Sequence, residues 1–214
     1  MTKRQSPVIA ARKRPRQARS TQLVSDILEA AVRVLKREGA RRFTTSRVAE
    51  EAGVSVGSLY QYFPNKESIL FRLQSDEWTQ TGALLANILG ASARPPLERL
   101  RAAVRSFFHS ECEEAELRVA LGDAVPLYRD AAETRAQRRK GKRRLALFIR
   151  EVLPNASAEQ REVAADVVMT AMSTLGKAIS ERECSKARVD AFAEASSDMF
   201  CAYLQQVHSK CAQP

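Results

Sequence analysis

Nothing in the 214-residue chain approaches the roughly 20 consecutive apolar residues that a bilayer span requires, so no membrane partner is expected. Its basic start leads into more charge and not into an apolar run. A secretory signal is therefore not expected, and the protein is placed in the cytoplasm. Period-two alternation of apolar and polar residues is missing, which argues against strands and for an all-α fold. Cysteine is sparse. Cys112, Cys184, Cys201 and Cys211 form no Cys-x-x-Cys pair, and they read as reduced thiols and not as staples or zinc ligands. His109 and His208 lie far apart without metal-ligand spacing. There is no Gly-rich phosphate loop, no nucleophile elbow and no internal repeat. The acid-base cluster of His109 with Glu111, Glu113 and Glu114 is a weak site, because adjacent helical residues mostly point apart. No catalytic residue, metal or cofactor is expected, and the chain does not read as an enzyme.

What the chain has is positive charge, +10 overall and unevenly spread. The first twenty residues carry seven basic side chains, Lys3, Arg4, Arg12, Lys13, Arg14, Arg16 and Arg19, and no acidic one. With Pro7, Pro15 and no sustained apolar period, residues 1–20 are expected to form a disordered arm. A basic arm alone fits DNA, RNA or an anionic membrane surface equally well. Beside a major-groove helix, Arg12, Lys13, Arg14, Arg16 and Arg19 would suit entry into a neighbouring minor groove.

Residues 44–66, TTSRVAEEAGVSVGSLYQYFPNK, supply that helix. Thr44 can cap a first helix whose apolar face is Val48, Ala49 and Ala52. Gly53 suits the left-handed residue that ends it, and Val54 can anchor the turn. Ser55 is an N-cap for a second helix from Val56 to about Tyr62, with Leu59 and Phe63 facing inward. Pro64 breaks this helix and Asn65 can cap the next. Two helices joined by a short glycine turn make a helix-turn-helix, and its second helix fits the B-DNA major groove. The outward positions are then Val56, Gly57, Ser58, Tyr60, Gln61 and Tyr62. Val56 can meet a thymine methyl, Ser58 and Gln61 can bond base edges or phosphate, and the tyrosine hydroxyls can reach phosphate.

The string GVSVGSLYQYFPNKESIL, with TT-x-x-VA ahead of it, closely resembles the DNA-binding domain of the TetR family of bacterial transcriptional regulators, over about residues 20–70. The matched positions are Gly53, Gly57, Ser58, Leu59, Tyr60, Tyr62, Phe63, Lys66 and Glu67. The resemblance implies an all-helical homodimer with a variable C-terminal domain that binds a small molecule. It also implies DNA contacts at Thr44, Thr45, Ser55, Val56, Gly57, Ser58, Tyr60, Gln61, Tyr62 and Lys66.

Elsewhere the pattern is helical throughout, with about nine helices in all. Val24, Ile27, Leu28, Ala31, Val34 and Leu35 stripe a helix over 21–38 that Gly39 ends, with Phe43 closing a small core. A long helix from Lys66 to about Ile88 follows, then breaks at 90–96 and 154–157. The expected domains are 1–20, an arm; 21–66, the DNA-binding domain; and 67–214, a regulatory and dimerisation domain. A cavity in the latter would be walled by Trp78, Phe107, Phe108, Leu121, Tyr128, Phe148, Met169 and Met172, although apolar residues at helical spacing are needed for packing in any case. The last two helices are strongly apolar, and their pattern alone leaves open whether they are covered by their own domain or by a second copy. The resemblance selects a second copy, met through Val168, Met172, Leu175, Phe192, Met199, Phe200 and Tyr203. The run RAQRRKGKRR at 135–144 has seven basic residues in ten. It invites a second nucleic-acid reading, against a solvated face balanced by the acids of 111–116.

The expectation is a sequence-specific regulator, most simply a repressor released from a near-palindromic duplex operator by a small apolar or aromatic effector. The alternative is an activator or architectural DNA-binding protein with no small-molecule ligand.

Overall fold

The computed structural model describes residues 9, 18–128, 132–182 and 185–211, apart from the side chains of residues 137 and 138. Among the described residues there are nine α-helices and no strand: α1 (Ala18–Arg42), α2 (Thr45–Glu51), α3 (Val56–Tyr62), α4 (Lys66–Leu89), α5 (Pro96–Glu113), α6 (Ala115–Ala124), α7 (Ala132–Val152), α8 (Ala158–Ser180) and α9 (Lys186–Cys211). They divide into two compact units, one of Met1–Trp78 with Glu116–Gln137, the other of Thr79–Ala115 with Arg138–Pro214. The division falls inside α4 and inside α7, so the first unit takes in a later stretch of chain that the linear boundary at 66/67 left to the second.

In the first unit, α1 buries Val24, Ile27, Ala31, Val34 and Leu35 as its spacing predicts. Gly39 breaks the helical path with φ 72° and ψ 168°, a conformation that a Cβ would strain. Phe43, fully buried, closes the core formed with Val48, Ala49, Leu59, Phe63, Ile69 and Leu70. Two expectations for the arm need correction. Helix α1 begins at Ala18, so Arg19 sits in its first turn and not in a disordered segment. Ile9, also given to that segment, is buried in the same core, 3% exposed. Arg12, Lys13, Arg14 and Arg16 lie outside the described residues.

The later stretch of this unit adds Leu121 and Tyr128 to the core. A buried polar chain accompanies them. Tyr128 donates its hydroxyl proton to Gln74 Oε1 and the Leu121 carbonyl at 3.4 Å each, and Gln74 donates to Glu77 at 3.0 Å. Arg118 pairs with Glu77 at 2.5 Å. Burial, then the nearby Glu77 charge, pushes the Tyr128 hydroxyl pKa up, so it remains a donor throughout the physiological range.

In the second unit α5 packs against both α8 and α9. Pro96 occupies the first turn of α5, where no intrahelical amide is needed. Ser157 and Gln160 form a reciprocal capping box at the start of α8. The core is Leu100, Val104, Phe108, Phe148, Ile149, Leu153, Ala164, Val168, Ile179, Phe200 and Leu204. Phe107 and Phe108 meet edge to face at 5.5 Å between ring centres, and Phe108 meets Phe192 likewise at 5.3 Å. Phe107 lies so close to Gly176 that a Cβ there would come within 2.7 Å of its ring. Arg99 is buried at 3% exposure, its guanidinium 5.7 Å from the Phe148 ring centre and bonded to the Leu89 carbonyl and Glu151.

Three further expectations change. The eight side chains proposed to wall a cavity divide between the two cores, Trp78, Leu121 and Tyr128 in the first and Phe107, Phe108, Phe148 and Met172 in the second, with Met169 half-buried on α8. Val168 and Phe200, expected at an intersubunit face, are 2% and 1% exposed within their own unit's core, and Phe192 packs on Phe108. Finally, Cys112 is disulfide-bonded while Cys201 and Cys211 are free thiols. Spacing along the chain does not report proximity in the fold, so the reading of Cys112 as reduced was mistaken. Cys184 lies outside the described residues.

Candidate nucleic-acid interface

Caps that reach only three to five residues build this site. The Thr44 side chain accepts the Arg47 amide at 3.3 Å and starts α2. Gly53, at φ 67°, ends it. Its amide donates to the Glu50 carbonyl at 3.1 Å and the Val54 amide to the Ala49 carbonyl at 3.0 Å, the paired bonds of a Schellman stop. Ser55 then caps α3, accepting from the Ser58 amide at 3.0 Å, with the two hydroxyls 2.8 Å apart. Extended backbone at Phe63 ahead of Pro64 ends α3. Asn65 accepts the Ser68 amide at 2.8 Å while the Ser68 hydroxyl donates to the Asn65 carbonyl at 2.6 Å, which starts α4.

The recognition helix is thus a rod of seven residues, 56–62, held at both ends. Val56 and Tyr60 are each 39% exposed, and Ser55, Gly57 and Gln61 are also exposed. Ser58 is half-buried. The Tyr60 hydroxyl lies 3.1 Å from the Thr45 hydroxyl, so two polar positions at the start of α2 and the middle of α3 are brought together. Gly57 presents bare backbone, with only the Ser55 hydroxyl near a hypothetical Cβ, at 3.8 Å. Thr44 is exposed, and Thr45 and Lys66 are half-buried. Tyr62 differs from expectation. At 5% exposure it joins Leu59 on the inner face, because the i and i+3 positions of so short a helix share one side.

Behind the rod, α1 and α2 are clamped by charge. Arg33 and Arg37 donate to Glu51 at 2.8 and 3.0 Å, and Arg47 bonds Glu38 and, at 2.8 Å, the Arg42 carbonyl. The bonds from Arg33 and Arg37 hold the Glu51 carboxyl below its ordinary pKa. Arg37, Glu38, Arg47, Glu50 and Glu51 line a polar depression of about 390 Å³. Arg41 and Arg42 stand exposed just ahead of the buried Phe43 and the Thr44 cap. The sequence reading assigned them no role, although two adjacent cations ahead of the TT cap were a visible signal.

An exposed helix set behind a glycine stop and a capped partner helix defines a helix-turn-helix DNA-binding regulator. Family comparisons narrow this class. The profile described as "Bacterial regulatory proteins, tetR family" matches residues 27–73, and "Tetracyclin repressor-like, C-terminal domain" matches residues 95–207, more than half of the chain. The chain belongs to the TetR family of bacterial regulators.

Among its relatives is the HTH-type transcriptional repressor KstR of Rhodococcus jostii, 28% identical over 142 residues that cover 66% of this chain and 65% of KstR. Other curated relatives are matched over only 28–34% of their length. The fatty acid degradation regulator FadR from Bacillus halodurans has a similar fold, with a TM-score of 0.66, 18% identity, and coverage of 88% of this chain and 96% of FadR. So does SmeT of Stenotrophomonas maltophilia in complex with triclosan, at 0.61, 18%, 85% and 91%. At these identities the solved structures speak to fold alone. No helix among the described residues is long and apolar enough to cross a membrane.

Proposed function

We propose that this DNA-binding regulator is a cytoplasmic repressor whose homodimer grips a near-palindromic operator and releases it when a small apolar or aromatic effector binds. The observation that carries the DNA half is the open face of α3. Val56 at 39% exposure meets a thymine methyl, Gln61 and Ser58 bond base edges or phosphate, and the bare backbone of Gly57 admits the duplex closely. Tyr60, Thr44, Thr45, Ser55 and Lys66 hold phosphates, joined by the exposed Arg41 and Arg42. Tyr62, being buried, supports the helix and does not contact DNA.

The dimer half is supported by a stripe with no charged residue. On α8, Val163 and Val167 are 53% and 43% exposed, and on α9 Met199 is 49% exposed between the exposed Ala191, Ala195 and Ala202. Apolar side chains of this size in adjacent turns favour a second copy, and two such helices from each subunit make a four-helix interface. This stripe replaces Val168 and Phe200 in the interface, while Met172, Leu175 and Tyr203 remain as its half-buried margin. A two-fold dimer then presents two recognition helices about 34 Å apart, one turn of DNA. An effector that prefers another spacing shifts the population away from the operator.

SmeT in its triclosan complex is a fold neighbour that holds a small lipophilic molecule, which supports an apolar effector here. One observation favours the reading without a ligand: Phe108, Phe148, Leu121 and Tyr128 are spent on packing and are nearly or fully buried. Thermal shift against a lipophilic panel decides between the two. An effector at 100 times its Kd raises stability by about 2.7 kcal/mol, whereas uniformly flat melting across the panel favours the ligand-free regulator.

A further inference from the structure

The basic run of α7 is not absorbed by that function. Arg139, Lys140, Arg143, Arg144 and Arg150 are all exposed, and none makes an ion pair among the described residues. Their neighbour Lys142 shows what a neutralised cation looks like here, bonded to Glu162 and Asp166 at 3.0 and 3.1 Å. Several other acids of this unit have partners elsewhere. Glu151 goes to Arg99, Glu194 and Asp198 to Arg101, and Asp190 to His109. Of the 111–116 run proposed as counter-charge, Glu111 is buried, Glu116 approaches Lys36, and the exposed Glu113 pairs with none of the five.

The five cations share one face. Arg139, Arg143 and Arg150 follow at i, i+4 and i+11, and Lys140 and Arg144 at i and i+4 on the adjoining row, over about 16 Å of helix. Like charges at i, i+4 oppose helix formation, so the arrangement costs stability and gains nothing within the chain. Leu147, 64% exposed, is the one large apolar side chain on the face.

We infer that this face of α7 is a second, sequence-independent DNA-binding surface that takes the phosphate backbone of a duplex. The inference rests on the reading of the chain as a DNA-binding protein, but it concerns residues that the recognition helix does not use. Four of the five cations are arginines, whose planar fork matches two phosphate oxygens at once. A helix face with a single apolar anchor offers an acidic protein segment little besides charge. A duplex supplies one negative charge per about 1.7 Å of axis, the density that a run of this spacing can use through counterion release.

The test measures binding of the full chain to a random-sequence duplex between about 50 and 200 mM salt, for the parent and for the variant Arg139→Gln, Lys140→Gln, Arg143→Gln and Arg144→Gln. Loss of four phosphate contacts makes the log-log salt slope shallower by about 3–4. If the fourfold variant does not fold, Arg139→Gln with Arg143→Gln gives a change of about 2. An unchanged slope overturns the inference. So does an outcome in which the variant keeps its duplex affinity and loses binding to polyglutamate, which assigns the face to an acidic protein segment. The two readings fail separately, because a Gln61→Ala change in α3 tests site-specific binding, whereas the difference in salt slope between parent and α7 variant on a random duplex isolates the α7 cations from the phosphate contacts of the first unit.

Discussion

The recognition motif and the second unit are held together over different ranges of sequence. In the first, α2, α3 and the start of α4 are each fixed by a cap spanning three residues, Thr44 to Arg47, Ser55 to Ser58 and Asn65 to Ser68. In the second, α5 is fixed to α9 by residues roughly ninety or more positions away: Arg101 to Glu194 and Asp198, Arg105 to Glu194, and the Cys201 thiol to the Leu97 carbonyl. A tight contact there, Phe107 against Gly176, joins residues that no local rule connects. Local chemistry positions the reading head, and long-range packing builds the rest.

The largest expected effect probes whether the units unfold as one. Phe43→Ala and Phe108→Ala each remove a fully buried ring, from the first and second cores respectively, and should cost about 3–5 kcal/mol in urea denaturation. Should each change move only one of two transitions, the division is thermodynamic as well as geometric. A single transition lowered equally by both would merge the two regions.

Gly176→Ala comes next. The new methyl group has to displace the Phe107 ring, an overpacking cost of about 1–3 kcal/mol confined to the second unit, with the recognition helix undisturbed. In the first unit Gly53→Ala forces a Cβ into left-handed backbone at φ 67°, costing about 1–2 kcal/mol. Its readout should nevertheless exceed its stability cost, because the turn aims α3: operator affinity measured by titration should fall further than the melting change accounts for. Equal losses would mean that the turn is only structural.

The smallest effect is electrostatic. Glu51 has its pKa lowered by Arg33 and Arg37, so its contribution is present above the ordinary value of 4.5 and fades as pH falls through the depressed one. Glu51→Gln should therefore lower the melting temperature slightly at neutral pH and not at all in acid, since the partners are exposed and well screened.

How much could be read from residues alone follows the same divide. The caps Thr44, Ser55 and Asn65, the stop at Gly53 and the inward Leu59 and Phe63 were all legible, because each depends on near neighbours. The identity of the exposed apolar stripe was not. Val168 and Val167 are adjacent and chemically alike, yet one is 2% and the other 43% exposed, and only the packing of α8 on α5 and α9 decides which faces out. Tyr62 shows the limit within the legible part, since an aromatic with a polar tip fits either side of a two-turn helix.

The most direct test of the account is selection of bound fragments from genomic DNA by the parent chain and by Gln61→Ala. A reading head at α3 predicts one recurring near-palindrome with half-sites about one turn apart, and a changed or relaxed base preference within each half-site for the variant. Recovery of the same sequences by both, or of no recurring sequence by the parent, would contradict it.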